Sequence, residues 1–359
     1  MVIPMARVAT EHQVTALIGR CYAGLGSAGL RDEVLRRMRR MLTIDAAFFA
    51  TVDPATLLFT SGTADEPLAA AQPLFLDNEF GRDDVNKFAV LAEAADPVSS
   101  LDRETGGTRP MSPRYRDIMG PLGLGDELRA ALLSQKTCWG VMCLHREDAE
   151  HGFESRELDL IRRISPHIAE GLRRAAMFEA PLQLAPSGLA PGMIVLDAAL
   201  AVMSISQEAR QWLAEIEDPD GRPAGELPMP VYAAAARLLQ VEASPGPRPA
   251  ASIVLRSRAG RWISLHAARL SGPPEPQVGV VVAPAPADQV SSLLLRVHGL
   301  TDAQSRVAAL VIRGHSTKQI VQELHISANT VQEHLTGAFD KFGVRSRREL
   351  VAAVLSGQR

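Results

Sequence analysis

The C-terminal end of the chain contains four signals for the start of a helix, and this series constrains the fold more than any other feature. Three hydroxyl residues are each followed, three positions later, by Gln or Glu, which is the spacing of a capping box. The pairs are Thr301/Gln304, Ser316/Gln319 and Ser346/Glu349. Ser327 can act as a plain N-cap, and Gly314 and Gly343 stand where helices would end. The sequence therefore predicts an all-α unit of four short helices with tight connections.

The connection between the second and third predicted helices is short enough for a helix-turn-helix. It consists of His325, Ile326 and Ser327. The third helix then has a polar outward face with the spacing i, i+3, i+4 and i+7, made by Asn329, Gln332, Glu333 and Thr336. Amide and hydroxyl groups can read base edges in a major groove, and a Glu can accept from a cytosine amino group. We therefore interpret the third helix as a recognition helix for double-stranded DNA.

Several further residues stand at helix starts or connections, where they would contact phosphates. They are Thr317, Lys318, Ser327, Thr330, Arg345, Arg347 and Arg348. Residues 290–359 hold nine Lys or Arg and five Asp or Glu, a net charge of +4, whereas the whole chain has a net charge of −3. Because this positive charge is modest, we expect a single unit to bind DNA weakly, with strong dependence on salt.

The blocks GHSTKQIVQELHISANTVQEHL and KFGVRSRREL resemble the LuxR/FixJ-type (GerE-like) helix-turn-helix, from Leu300 to about Leu355. The resemblance implies a transcription regulator that binds double-stranded DNA as a homodimer, with the helix from Ser346 forming the dimer contact and RNA polymerase as a candidate partner. Gln304 stands where the family usually has an acid, and Gln332 where a basic residue is common, so the base preference stays open. His334 matches a usual family position and is interpreted as structural, with a phosphate or base contact as the alternative.

The rest of the chain indicates neither a membrane protein nor an enzyme. No apolar run approaches the roughly eighteen residues of a membrane span, and no signal segment is present at the N-terminus. Three cysteines are too few for a disulfide framework, so we expect a cytoplasmic protein. Phosphate-binding loops, dinucleotide fingerprints and zinc-protease motifs are absent from the sequence. We therefore expect no catalytic residues, no cofactor and no metal ligands.

Stretches rich in proline and glycine, at 181–192 and 283–288, divide the chain into three predicted domains. Their bounds are 1–180, 185–285 and 290–359. In the first domain the patterns predict two helices, two strands, an irregular excursion, a strand hairpin and a final helix that Pro166 would kink or break. The corresponding ranges are about 8–24, 30–42, 46–52, 57–61, 63–125, 127–134, 138–146 and 154 onward.

This order of elements, with WGVMCLHRE followed by a long apolar helix, resembles a GAF domain. The resemblance implies a central antiparallel sheet with a ligand pocket between one face and the excursion. The candidate pocket residues are Phe49, Phe88, Tyr115, Met119, Leu133, Trp139 and Val141. The alternative for each of them is an ordinary position in the hydrophobic core.

The middle domain resembles a PAS domain, because two predicted strands and intervening helices precede three further strands. The strands are predicted at 193–196, 201–205, 251–256, 261–270 and 277–282. The overall expectation is a multidomain α+β chain, in which GAF-like and PAS-like antiparallel-sheet domains precede an all-α four-helix LuxR-type domain.

Three functional hypotheses remain open. In the first, the GAF-like and PAS-like parts sense a small molecule or a partner and regulate DNA binding. In the second, the same parts only hold a dimer. In the third, the chain is a protein-interaction adaptor that does not bind DNA.

Overall fold

Two five-stranded antiparallel sheets and a C-terminal group of helices make up the described chain. The structure is a computed structural model, and it describes residues 9–147, 151–178, 190–216, 227–243, 250–272 and 277–355. The multidomain α+β prediction is confirmed. Within these ranges, none of the helices has both the length and the apolar character needed to cross a bilayer.

The first sheet has the strand order β2-β1-β5-β4-β3. Its strands are β1 (Ala46–Val52), β2 (Phe59–Ala64), β3 (Val98–Ser100), β4 (Leu124–Ser134) and β5 (Thr137–Glu147). The hairpin of β4 and β5 turns at Gln135 and Lys136, which have φ of 51° and 65°. Left-handed values at both turn residues are what a type I′ turn requires, and this turn matches the twist of the strands. The predicted hairpin is therefore confirmed, whereas β3 was missed.

One face of the first sheet is covered by three helices: α1 (Glu11–Cys21), α2 (Ser27–Met38) and α6 (Ser155–Phe178). The helix α6 continues through Pro166 rather than breaking there. Ile164 and Ile168, on either side of this proline, are 0% exposed. Their burial against the sheet holds the helix together where proline removes one backbone hydrogen bond.

The opposite face of the first sheet is covered by the excursion, here defined as residues 65–123. It contains α3 (Gln72–Gly81), α4 (Phe88–Glu93), α5 (Leu101–Thr105) and short turns of 3-10 and π helix. The stretch that was predicted to be irregular therefore contains several short helices.

The second sheet repeats the relative strand order of the first, as β7-β6-β10-β9-β8. Its elements are β6 (Gly192–Leu196), β7 (Val202–Ile205), α7 (Gln207–Ile216), α8 (Met229–Ala243), β8 (Ser252–Arg256), β9 (Trp262–Leu270) and β10 (Gln277–Pro284). The alanine-rich helix α8 contacts both sheets and α3. Residues 233–236 of α8 are at most 2% exposed, so this segment is buried on every side and the two sheets share one core.

The C-terminal group contains the four predicted helices and one that was missed. They are α9 (Ala287–Val297), α10 (Asp302–Ile312), α11 (Thr317–Leu324), α12 (Ala328–Phe342) and α13 (Arg347–Leu355). The segment 283–288 is not a separator, because β10 pairs through Pro284 and α9 begins at Ala287. Most of the predicted linker 181–192 lies outside the described residues.

Candidate functional site

The predicted caps fix where the C-terminal helices begin. The nitrogen of Gln304 donates to Thr301 Oγ1 at 3.3 Å, and Gln304 Oε1 accepts from the nitrogen of Thr301 at 3.0 Å. Ser316 and Gln319 form the same reciprocal pair. Both capping boxes are therefore confirmed, and each satisfies two backbone groups that would otherwise lack partners.

The third predicted box differs in detail from the expected pattern. The nitrogen of Glu349 donates to Ser346 Oγ at 3.2 Å, as predicted. The Glu349 carboxylate, however, accepts from the backbone nitrogen of Arg345 at 2.8 Å. The glutamate therefore fixes the connection in front of α13 as well as its first turn.

The turn between α11 and α12 depends on one residue in a left-handed conformation. His325 ends α11 with φ of 54° and ψ of 40°. Ser327 then caps α12, accepting from the nitrogen of Thr330 at 3.0 Å. Only Ile326 separates His325 from Ser327. The left-handed residue and the N-cap therefore redirect the chain within three positions, as a helix-turn-helix requires.

The recognition-helix candidate α12 has one buried face and one exposed face. Val331, Leu335, Ala338 and Phe342 are at most 4% exposed and pack in the core of the C-terminal group. On the other side, the four predicted base-reading side chains are all exposed, namely Asn329, Gln332, Glu333 and Thr336. The period of the helix thus separates packing from recognition, and the polar face is open to a partner.

Local hydrogen bonds organise this exposed face. Asn329 Nδ2 donates to Glu333 Oε1 at 2.9 Å, and Thr336 Oγ1 donates to the Gln332 carbonyl at 3.0 Å. Both bonds are exposed to solvent, so they can exchange for bonds to base edges at small cost.

The predicted phosphate-contacting residues surround α12 but differ in burial. Ser327, Lys318, Arg345 and Arg348 are exposed, whereas Thr317, Thr330 and Arg347 are half-buried. Arg347 donates to Thr317 Oγ1 at 3.3 Å and to the His315 carbonyl at 3.0 Å. It therefore joins the start of α13 to the start of α11, a structural contact that the sequence did not indicate.

The rotation of α12 is fixed by its contacts with the start of α10. Lys341 Nζ donates to Gln304 Oε1 at 2.8 Å and to the Gly299 carbonyl at 2.7 Å. A Cβ at Gly337 would lie 2.4 Å from Gln304 Nε2, so the two helices approach closely at this glycine. At the position where an acid was expected, the amide oxygen of Gln304 therefore still accepts a hydrogen bond from a lysine.

The helix α9 joins the C-terminal group to both sheets. Val290 and Leu294 are buried with Val254 and Trp262 of the second sheet. On the side of the first sheet, the Arg173 guanidinium on α6 donates to the Val297 carbonyl. The exposed face of α12 remains open in this arrangement.

The seven predicted pocket residues do not lie on one face of the first sheet. Five belong to the core on the excursion side: Phe88, Tyr115, Met119, Leu133 and Val141. Phe49 and Trp139 instead pack with α1, α2 and α6 on the other side. Phe48 and Phe49 are neighbours on β1, so their side chains point to opposite faces of the sheet, and Phe48 is the one that faces the excursion.

Trp139 changes face because of a β-bulge. Leu132 pairs with Gly140 and Leu133 pairs with Cys138, so Trp139 is an extra residue in β5. Such an insertion breaks the alternation of side chains along a strand. Trp139 lies two residues before Val141, so regular alternation would place both side chains on the same face, but the bulge places them on opposite faces. The seven residues therefore cannot line a single pocket.

The excursion side of the sheet holds a buried ionic cluster, defined here as Glu79, Asp84, Arg114, Glu127 and Arg129. Arg114 Nη2 lies 2.7 Å from Glu127 Oε2, and Arg129 Nη2 lies 2.7 Å from Glu79 Oε2. Burial raises the pKa of Glu127, but Arg114 and Arg129 outweigh this effect and hold the pKa at about 2. These charged residues were not predicted, because only apolar side chains were expected to line a pocket.

A separate cleft of about 140 Å³ lies where the two sheets and α9 meet. It is lined in part by Asp53, Trp139, Val254, Trp262 and Leu293. Asp53 Oδ2 accepts from the nitrogen of Val254 at 2.9 Å, across the junction of the two sheets. Burial raises the pKa of Asp53. We call this space the junction cleft.

Comparison with known proteins assigns two parts of the chain. Residues 298–354 match the model of bacterial regulatory proteins of the luxR family, and residues 30–172 match the GAF domain. The spore germination protein GerE of Bacillus subtilis (strain 168) is 38% identical over 56 residues, which cover 16% of this chain and 76% of GerE. The chain belongs to the luxR family of bacterial regulatory proteins. Its C-terminal part carries the luxR-type helix-turn-helix, and its N-terminal part carries a GAF domain.

Other similarities are limited to parts of the proteins concerned. The HTH-type transcriptional regulator MalT of Yersinia pestis is 36% identical over 58 residues, which cover 16% of this chain and only 6% of MalT. A phycoerythrobilin-bound GAF domain from a cyanobacterial phytochrome is 15% identical, with 48% of this chain and 98% of that chain covered and a TM-score of 0.35. The Vibrio cholerae VqmA dimer is 19% identical, with 47% and 83% covered and a TM-score of 0.19. These scores are too low for a structural inference.

Proposed function

We propose that this luxR-family chain regulates transcription by binding double-stranded DNA as a homodimer, with α12 in the major groove. The observation that carries the proposal is the division of α12 into a buried apolar face and an exposed polar face. Asn329, Gln332, Glu333 and Thr336 read base edges. The phosphates are contacted by Thr317, Lys318, Ser327, Thr330, Arg345, Arg347 and Arg348.

The dimer contact is assigned to α13. Leu350 and Val354 are buried in the core of the C-terminal group, whereas Val351 and Leu355 are only half-buried. Two such helices meeting across a two-fold axis would cover these apolar side chains. The two recognition helices would then lie about one helical turn of DNA apart, or roughly 34 Å.

The sensing part of the function is assigned to the GAF domain and to the second, PAS-like sheet. Regulation by an effector requires two arrangements of the dimer, one that binds DNA well and one that binds it poorly. The effector shifts the balance between them only if it has a different affinity for each. The junction cleft supports this assignment, because pockets between domains are frequent sites of ligand binding. RNA polymerase remains a candidate partner of the DNA-bound form.

A second candidate is a regulator without a small-molecule ligand, in which the two sheet domains only hold the dimer. The buried ionic cluster favours it, because charged side chains fill much of the space where the GAF-like pocket was expected. Thermal shifts across a metabolite panel, together with native mass spectrometry, distinguish the two. A bound metabolite supports the sensor, and none in either measurement supports the scaffold.

Selection from random duplexes with the purified full chain tests DNA binding itself. We expect a two-fold symmetric motif, with half-sites about ten base pairs apart. Gel shifts at several salt concentrations then give the affinity for this motif. A folded protein that binds no duplex at low ionic strength would contradict the proposal and favour the adaptor.

A further inference from the structure

Three potential metal ligands come together on neighbouring strands of the first sheet. Glu127 on β4 pairs with His145 on β5, and Cys143 stands two positions before His145 on the same face. One carboxylate oxygen, the thiol sulfur and one imidazole nitrogen all lie within 4.8 Å of one another. Glu127, Cys143 and His145 are each 0% exposed.

Three polar atoms of Glu127 and His145 lack hydrogen-bond partners within the described part of the chain. Neither Nδ1 nor Nε2 of His145 has one, and the same holds for Oε1 of Glu127. Leaving a buried polar atom without a partner destabilises the fold. Glu127 Oε1 and His145 Nε2 are 3.7 Å apart. This is too long for a hydrogen bond but suits two atoms that share a cation.

The surrounding charges are compatible with a divalent ion. The side chains of the ionic cluster are at most 3% exposed, and their two arginines and three carboxylates carry a net charge of −1. Lys87 and Arg237 also interact with Glu79 at the edge of the cluster. Arg114 contacts the other oxygen of Glu127, whereas Arg129 pairs with Glu79 through Nη2 and places its Nε 3.6 Å from Glu127 Oε1. A divalent ion that displaces the proton of the Cys143 thiol would bring the net charge of the group to zero.

Sulfur, nitrogen and oxygen together form the kind of ligand set that Zn²⁺ prefers, whereas Mg²⁺ and Ca²⁺ prefer oxygen alone. Bonds of about 2.0–2.3 Å in a tetrahedral site place neighbouring ligand atoms about 3.3–3.7 Å apart. The carboxylate oxygen and the imidazole nitrogen already have this spacing, and closing the site requires side-chain movements of about 1 Å.

We propose that Glu127, Cys143 and His145 bind one Zn²⁺ in the GAF domain. The thiol proton leaves to the solvent as the Zn–S bond forms, and a water or another small ligand takes the fourth position. Because all three ligands are fully buried, the ion enters while the chain folds. No metal ligand was expected from the sequence, although Cys-x-His on a strand places both side chains on one face.

The test begins with the full chain, unfolded in the presence of a chelator and refolded with Co²⁺ as a spectroscopic probe. A thiolate-to-Co²⁺ charge-transfer band and one bound metal per chain are expected. Cys143→Ser should abolish the band, and His145→Gln should weaken Co²⁺ binding by more than about tenfold. The matched control is Cys138→Ser, since Cys138 is also buried on β5 but its thiol donates to the Gly140 carbonyl at 3.2 Å. This control should keep the band.

Two results would overturn the proposal: wild-type protein that refolds without taking up Co²⁺ or Zn²⁺, and a Cys143→Ser variant that keeps the charge-transfer band. Should the variants fail to fold, X-ray absorption on the Co²⁺-loaded wild type decides the matter. One sulfur neighbour at about 2.3 Å supports the site, whereas no sulfur or two sulfurs excludes it.

Discussion

Arg347 and Arg348 are adjacent in sequence but should respond differently to substitution by alanine. Arg348 is exposed and makes no hydrogen bond or ion pair with the described residues. Arg347 is half-buried and joins α13 to Thr317 and to the His315 carbonyl. Arg348→Ala therefore removes a proposed phosphate contact alone, whereas Arg347→Ala also removes a contact within the fold.

The expected magnitudes follow from these contacts. Each phosphate contact contributes about 0.9 to the slope of log affinity against log salt, so a dimer that loses two contacts changes its slope by about 1.8. The ratio of the DNA affinity of the wild type to that of Arg348→Ala should then fall about tenfold between roughly 50 and 200 mM salt. Arg347→Ala should also lower the free energy of unfolding by about 1–2 kcal/mol, a range reduced because the site is half-exposed.

Gel shifts across a salt series measure the slope, and urea unfolding of the same samples measures stability. Arg348→Ala should change stability by less than about 0.5 kcal/mol. An unchanged slope for Arg348→Ala would refute the phosphate contact. A stability of Arg347→Ala equal to that of the wild type would show that the contact between α13 and α11 contributes nothing to the fold.

Three further substitutions test other parts of the molecule. Gly171→Ala places a Cβ 2.7 Å from a backbone carbonyl of α1 and should cost about 1–3 kcal/mol in urea unfolding, whereas Gly29→Ala, in open space, should be neutral or stabilise by up to about 1 kcal/mol. Equal effects would contradict the close packing of α6 on α1. Arg173, with smaller contributions from Arg174 and Ser134, holds the pKa of Glu170 at about 2. Because the folded-state pKa of Glu170 lies below its unfolded value, the ionised carboxylate stabilises the fold above about pH 4.5, and this contribution is lost as the pH falls through about 2. Glu170→Gln should therefore cost about 1 kcal/mol at pH 7 and almost nothing below pH 2, and a cost independent of pH would refute this. Gln332→Ala should change the bases selected from random duplexes at one position of each half-site, and an unchanged motif would remove Gln332 from base reading.

The C-terminal helices could be predicted because their signals are local. Ser316 and Gln319 are three residues apart, and their reciprocal bonds need nothing from the rest of the chain. The helix α9 was missed for the opposite reason. Its start follows alternating alanines and prolines that are typical of a linker. Its buried residues, such as Val290 and Leu294, acquire a partner only when the second sheet is in place.

The interior of the GAF domain was harder to predict than its strands. Alternation along β5 predicts the face of each side chain only while the pairing is regular, and the bulge at Trp139 breaks that pairing. The ionic cluster was missed because burial of a charge depends on partners that are distant in sequence. Arg129 and Glu79, for example, are separated by fifty positions. Such pairs become visible only when the excursion covers the sheet.

The position of α9 indicates how a change at the sheets could reach DNA. Leu293 of α9 lines the junction cleft, and α9 also contacts α10 and α13. The exposed face of α12 is open in the present arrangement, so regulation does not require this face to be uncovered. A shift of α9 would instead move α13, the proposed dimer helix, and thereby change the spacing of the two recognition helices. Because spacing must match the helical repeat of DNA, a displacement of a few ångströms at α13 would weaken binding to both half-sites together.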